Sequence, residues 1–273
     1  MDKPKCSIRQ ITVAVAMLLM FVIVVCMGTI TYSRYTSSDV SSLQATAAKW
    51  GYVITMDASN FGGNAIVAAN DGEVSLSASN LVATPGASGS VMFVLNGRAE
   101  VLSKTYFIFG GELGGEAKQI SLTYEYYDEQ SQTNSEYTHY PINWSISIYN
   151  IDETILGLLG GSYGDGEGQI PEGITAIEDV YMGSGPTVAL MLSQLFMVVP
   201  TGYEFNDFRI ELYWEWGYSV GVDTYDTILG RLAAGETLDA LNAVYGQYYT
   251  YTRFNTAMNV RVGVGVAQVQ EAT

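Results

Sequence analysis

The nine residues 208-FRIELYWEW-216 decide the fold class. Phe208, Ile210, Leu212, Trp214 and Trp216 alternate with Arg209, Glu211, Tyr213 and Glu215. A period of two puts the apolar set on one face of a strand and the charged set on the other, which predicts a strand that buries one face.

The same period recurs on either side of this stretch. Residues 258–270, MNVRVGVGVAQVQ, place Val260, Val262, Val264 and Val266 on one face and predict a closing strand. Residues 49–57 place Trp50, Tyr52, Ile54 and Met56 together and predict the first strand of the domain. Short strands are expected at 65–69 and 74–78, joined by an Asn70-Asp71-Gly72 turn. Asn96-Gly97, between apolar runs at 91–95 and 99–109, predicts a hairpin. Residues 119–127 and 137–149 also alternate and read as sheet neighbours.

Other stretches are less regular. A short helix is expected at 153–159 and a glycine-rich loop at 160–168; the type of the apolar run 187–199 is ambiguous. Asp223 or Thr224 caps a helix through residue 234, and Thr237 caps another through about residue 248, with Leu238, Leu241, Val244, Tyr245 and Tyr248 as its stripe. Strands without alternating helices predict an all-β chain, an antiparallel sandwich with short helical insertions.

Residues 11–31, ITVAVAMLLMFVIVVCMGTIT, carry no charge and follow Lys3, Lys5 and Arg9. Some 21 residues of helix reach across a bilayer of about 30 Å, and the positive flank stays in the cytoplasm, so the remainder is exported. The run reads as a retained anchor by its length. It reads as a removed signal peptide by its ending in Gly28, Thr29, Thr31 and Ser33, which is not a basic stop-transfer cluster. The balance favours removal, with cleavage around Thr31, Tyr32 and Ser33. Residues 1–33 are then signal peptide or anchor, 34–48 a polar flexible segment, and 49–273 the sandwich domain.

The formal net charge of −16 becomes about −18 once Lys3, Lys5, Arg9 and Asp2 leave with that segment. So acidic a surface argues against nucleic acid and against anionic membranes as partners, leaving residues 11–31 as the membrane contact. Cys6 and Cys26 both lie in the export segment, so the domain has no thiol for a disulfide, a metal or a nucleophile.

Candidate chemistry is thin. His139 is the sole histidine, and no Gly-x-Ser-x-Gly, His-Glu-x-x-His or phosphate-loop pattern accompanies it. The Asp165-Gly166-Glu167 loop and Asp223/Asp226 lack the ligand density of a calcium loop and read as turn and cap residues. Neither an enzyme nor a cofactor is expected. Trp214 and Trp216 read as core rather than as a sugar platform. Tyr124, Tyr126, Tyr127, Tyr137, Tyr140, Tyr245, Tyr248, Tyr249 and Tyr251 are too many to bury easily, because each hydroxyl needs a partner. Exposed tyrosine faces suit protein contacts or glycan stacking.

Three pieces occur in order: the export segment ending Gly28-Thr29-Ile30-Thr31-Tyr32-Ser33-Arg34-Tyr35, the turn Ala83-Thr84-Pro85-Gly86-Ala87-Ser88-Gly89-Ser90, and Leu212-Tyr213-Trp214-Glu215-Trp216 followed by Asp223-Thr224-Tyr225-Asp226. With the closing Val264-Gly265-Val266-Ala267-Gln268-Val269-Gln270 strand, they make the chain resemble the TasA/camelysin-like proteins exported by a SipW-type signal peptidase. The resemblance implies a jelly-roll-like sandwich. It also implies an extracellular or cell-surface biofilm fibre in which the N-terminal strand of one subunit completes the sheet of the next. The candidate donor strand and interface is then Tyr35, Val40, Leu43, Trp50, Tyr52 and Ile54. The partners implied are other copies of the chain, the SipW-type peptidase and other matrix components. Residues 151–199 match nothing in that pattern. The competing expectation is a membrane-tethered adhesin or carbohydrate-binding module.

Overall fold

The computed structural model describes residues 44–111, 115–128, 133–150, 159–160, 176–217, 224–247 and 249–269. The alternating stretches organise two six-stranded antiparallel sheets. The first runs β1 (Gln44–Lys49), β2 (Tyr52–Asp57), β5 (Ser88–Arg98), β13 (Glu204–Trp216), β9 (Ile142–Tyr149), β11 (Ala176–Gly183). The second runs β10 (Leu159–Gly160), β12 (Phe196–Val199), β6 (Ser103–Gly110), β15 (Met258–Gln268), β4 (Glu73–Leu81), β3 (Asn64–Asn70). A three-stranded sheet, β14 (Thr250–Asn255), β7 (Ser121–Asp128) and β8 (Thr133–His139), stands apart from both. The helices among the described residues are α1 (Thr187–Gln194), α2 (Thr224–Ala233) and α3 (Leu238–Tyr245).

The two large sheets bury one core between them. In β13 the residues Phe208, Ile210, Leu212, Trp214 and Trp216 are all at most 2% exposed, whereas Arg209 and Glu215 are exposed. The period-two reading of this strand is therefore realised, and β13 is paired on both sides, with β5 and with β9. From the second sheet, Val260, Val262 and Val264 of β15 and Val74, Leu76 and Ala78 of β4 are fully buried against it. Two contacts tie the layers: the Tyr52 hydroxyl lies 3.1 Å from Ser103 Oγ and 3.2 Å from Thr105 Oγ1, and Phe109 meets Trp144 edge-on at 5.1 Å. All-β sandwich architecture with short helices is thus present.

Gly89 shows why one close approach needs a glycine. A Cβ there would stand 2.5 Å from the Phe61 carbonyl oxygen and 2.7 Å from Trp214 Nε1. The bare backbone lets Trp214 Nε1 donate to that carbonyl at 3.1 Å inside the core.

Several local expectations change. Trp50 is not on the face of β2; it sits with Gly51 in the two-residue turn between β1 and β2, at φ 57° and 90°. Both positive angles match a type I′ hairpin turn, whose twist suits paired strands. Part of the 34–48 segment, read as flexible, is strand β1, which pairs with β2 of its own chain from Gln44↔Asp57 to Lys49↔Tyr52. Asn96-Gly97 makes no hairpin. Both residues lie inside β5, where Gly97 at φ 109° pairs with Tyr52 and Phe205, and Asn96 Oδ1 accepts from the Asp207 amide at 2.8 Å at a bulge in β13. The chain then crosses to the second sheet as β6.

The run 137–149 divides at Pro141. Residues up to His139 pair with β7, while β9 joins the first sheet beside β13. The ambiguous run 187–199 divides too, into α1 and β12. Asp71-Gly72 turns β3 into β4, and Thr237 caps α3 by accepting from the Ala240 amide at 3.3 Å, both as expected. Within α3 Leu241 is buried but Val244 is 63% exposed, so the stripe is narrower than the sequence implied. The segment 11–31, the helix expected at 153–159 apart from Leu159, the loop 161–168 with Asp165, Asp223 and Tyr248 lie outside the described residues. No helix among the described residues is long and apolar enough to cross a membrane.

Candidate functional site

The three-stranded sheet collects the tyrosines. Its register sets Tyr124 opposite Tyr137 on β8 and opposite Tyr251 on β14, with Leu122 opposite His139 and Tyr126 opposite Ser135. Residues 122, 124 and 126 share one face by the strand period, and their partners complete it. The first turn of α2 places Tyr225 against this face. Its ring lies parallel to Tyr124 at 4.8 Å and 11°, and Tyr249 closes on both, at 5.2 Å from Tyr124 and 6.3 Å from Tyr225.

The helix is held there by polar contacts. Buried Asp226, 6% exposed, places Oδ1 3.1 Å from His139 Nε2, and the imidazole also leans on the Tyr225 ring at 5.2 Å. Arg231 donates to Glu236 at 2.6 Å and to the Tyr245 hydroxyl at 3.1 Å. From α3, Asn242 brackets Tyr251: its Nδ2 donates to the Tyr251 carbonyl at 2.9 Å, and its Oδ1 accepts from the Tyr251 amide at 2.8 Å.

Crowding of phenols has an electrostatic result. Burial, then the neighbouring Tyr124 and Tyr249 hydroxyls, push the Tyr225 phenol well above its ordinary range. Burial first, with Tyr249, Tyr124 and Tyr245 adding, pushes Tyr251 up as well. Tyr225 and Tyr251 therefore keep their protons at neutral pH. Within the block Tyr137 reaches solvent, at 47% exposure, while Tyr127, 58% exposed, lies on the opposite face of β7.

The sequence-predicted site residues are scattered by comparison. Tyr52 and Ile54 are core residues, each 1% exposed on β2, and Trp50 is in the β1–β2 turn with its indole nitrogen buried and unbonded. Tyr35, Val40, Leu43, Thr31, Tyr32 and Ser33 lie outside the described residues. His139 is a packed imidazole in contact with a carboxylate. Asp226, read as a cap residue, is its partner. Of the surplus tyrosines, Tyr124, Tyr126, Tyr137, Tyr249 and Tyr251 converge, whereas Tyr140 packs against Gly185 and Tyr248 lies outside the described residues; Tyr225 was missed, its signal being its place beside Asp226 at the start of an amphipathic helix. Among the described residues no group of three His, Cys, Asp or Glu side chains is placed to hold a metal ion.

No protein-family model, no curated protein and no solved structure matches the chain.

Proposed function

We propose that the chain is an exported, non-enzymatic subunit of an extracellular fibre or matrix, a jelly-roll-like sandwich assembled by donation of its N-terminal strand. The observation that carries this reading is the position of β1. It lies at the rim of the first sheet, hydrogen-bonds to β2 alone among the described strands, and is joined to it by only the Trp50-Gly51 turn. A strand held on one side through one short turn can exchange for the same strand of a second copy, because every ladder bond is reproduced in the exchange. Beside it, at the rim of the second sheet, β3 reads NAIVAAN: seven residues without charge or proline, with Ile66 69% exposed. Charge, proline and bulges are the usual protections of a sheet edge, and this edge has none of the first two. The jelly-roll-like character draws support from the path of the chain, since β4, β5 and β6 fall in alternate sheets.

Removal of the apolar segment at 11–31 by a SipW-type peptidase would free the donor, and localisation would be the cell surface or beyond. Electron microscopy of protein beginning at residue 34, beside protein beginning at residue 49, tests the reading. Filaments from the first and none from the second are expected; single particles from both would end it.

A second reading, a tethered surface adhesin or glycan-binding module, draws on exposed Tyr127, Tyr137 and Tyr181, the last 61% exposed. A glycan array would separate the two. The module reading requires one defined sugar to bind and to be lost when these tyrosines become alanine.

A further inference from the structure

Within the aromatic block one pair differs from the rest. Tyr126 and Tyr137 are diagonal neighbours on adjacent antiparallel strands, since Tyr137 faces Tyr124 while Tyr126 faces Ser135. Diagonal pairs lie within reach of aromatic side chains. Their ring centres are 5.1 Å apart, tilted by 33°, yet their hydroxyl oxygens are only 3.3 Å apart. Oxygens closer than ring centres mean that the rings converge at their hydroxyl edges. The ring carbons ortho to those hydroxyls flank the point of closest approach. Tyr124 and Tyr225, by contrast, lie face to face at 11°, which stacks the rings instead of meeting them edge to edge.

We propose that Tyr126 and Tyr137 form a modification site, an intramolecular dityrosine cross-link made by phenol coupling under a peroxide activated by a haem peroxidase. Each phenol gives up one electron and its hydroxyl proton. The two electrons and two protons reduce one hydrogen peroxide to two waters. The two phenoxyl radicals pair in a carbon–carbon bond between ortho positions, and the hydrogens on those carbons move to the oxygens as the rings regain aromaticity. The product is lighter by two hydrogens and carries both hydroxyls.

Three features favour this pair. Tyr137 is 47% exposed, so an oxidant reaches it from solvent. Tyr124, at 6.1 Å from Tyr137, and Tyr249, at 6.4 Å from Tyr126, lie within transfer distance, so an electron vacancy formed on either ring can pass to the pair. Both cysteines of the chain, Cys6 and Cys26, precede the described residues, so among the described residues no thiol stands beside the pair to quench a radical. The bond would staple β7 to β8, a hairpin otherwise held by its ladder and by the Thr123–Thr138 hydroxyl contact at 3.1 Å.

The test is to treat the purified full chain with hydrogen peroxide and a haem peroxidase, isolate the monomer by denaturing electrophoresis, and digest it with a glutamate-specific protease. Cleavage after Glu125, Glu129, Glu136 and Glu153 puts the two tyrosines on separate peptides. The expected result is blue dityrosine fluorescence in the monomer and a joined peptide pair two hydrogens lighter than its parts. Tyr126→Phe and Tyr137→Phe should each lose that pair, and Tyr181→Phe should keep it. Phenylalanine preserves the ring packing, and circular dichroism of each variant confirms the fold. Dityrosine confined to cross-linked dimers, a pair retained in both phenylalanine variants, or no dityrosine at all would overturn the assignment.

Discussion

Trp214 carries three jobs on one side chain. It fills the core at 2% exposure, meets Phe61 edge-on at 6.4 Å, and donates its indole proton to the Phe61 carbonyl. Trp214→Ala removes the packing and strands that carbonyl, and should lower stability by about 3–5 kcal/mol. Its neighbour Glu215 points to solvent, and Glu215→Gln should stay within about 0.5 kcal/mol. Urea denaturation of the two variants measures the contrast across a single step along β13. A second residue-scale expectation concerns alkali. Tyr52, Tyr225 and Tyr251 all have phenols raised above the ordinary value of 10.0, Tyr52 by burial against the opposing bonds from Ser103 and Thr105. The unfolded chain ionises these groups before the folded one does. Their contribution is complete below pH 10.0 and is lost as pH rises beyond it. Unfolding followed by tryptophan fluorescence should show stability falling above that pH, less steeply in Tyr225→Phe.

At the scale of elements, the β1–β2 hairpin is the part most open to test. A Cβ on Gly51, at φ 90°, would stand 2.2 Å from the Arg98 carbonyl oxygen, so Gly51→Ala should cost about 1–3 kcal/mol. The cost should fall on β1. Hydrogen exchange should accelerate at residues 44–49 while β5 and β13 keep their protection. Elements whose pattern is repeated along one strand were legible in the sequence: β13 and β15 each spell out four or more buried alternations. Elements decided by distant partners were not. Asn96-Gly97 carries every local mark of a hairpin, and what overrides it is a bulge in β13 more than a hundred residues later. The same holds for the aromatic block. Its tyrosines were visible as a surplus, but the link from His139 to Asp226 spans 87 positions and no local pattern announces it.

The whole molecule is strongly acidic, with a formal net charge of −16. Copies approaching one another repel over about 10 Å at 0.1 M salt and over shorter distances as salt rises. The assembly proposed above should therefore quicken as ionic strength increases, which light scattering at a series of salt concentrations would follow. A decrease would point instead to an interface built on ion pairs. Within the molecule the exposed ion pair of Lys49 with Asp71, at 2.9 Å with a carboxylate 89% exposed, contributes little to stability.

The placement of β15 bears on the order in which the chain can mature. It is the last of the described strands, ending at Gln268, yet it sits in the middle of the second sheet, between β6 and β4. In the first sheet the late strand β13 likewise separates β5 from β9. During synthesis the first sheet cannot close until residues 204–216 emerge, nor the second until residues 258–268 emerge, and pairings of such long sequence separation are slow to form. A chain of this design stays incomplete for most of its synthesis, with its earlier strands waiting on either side of a vacant central lane.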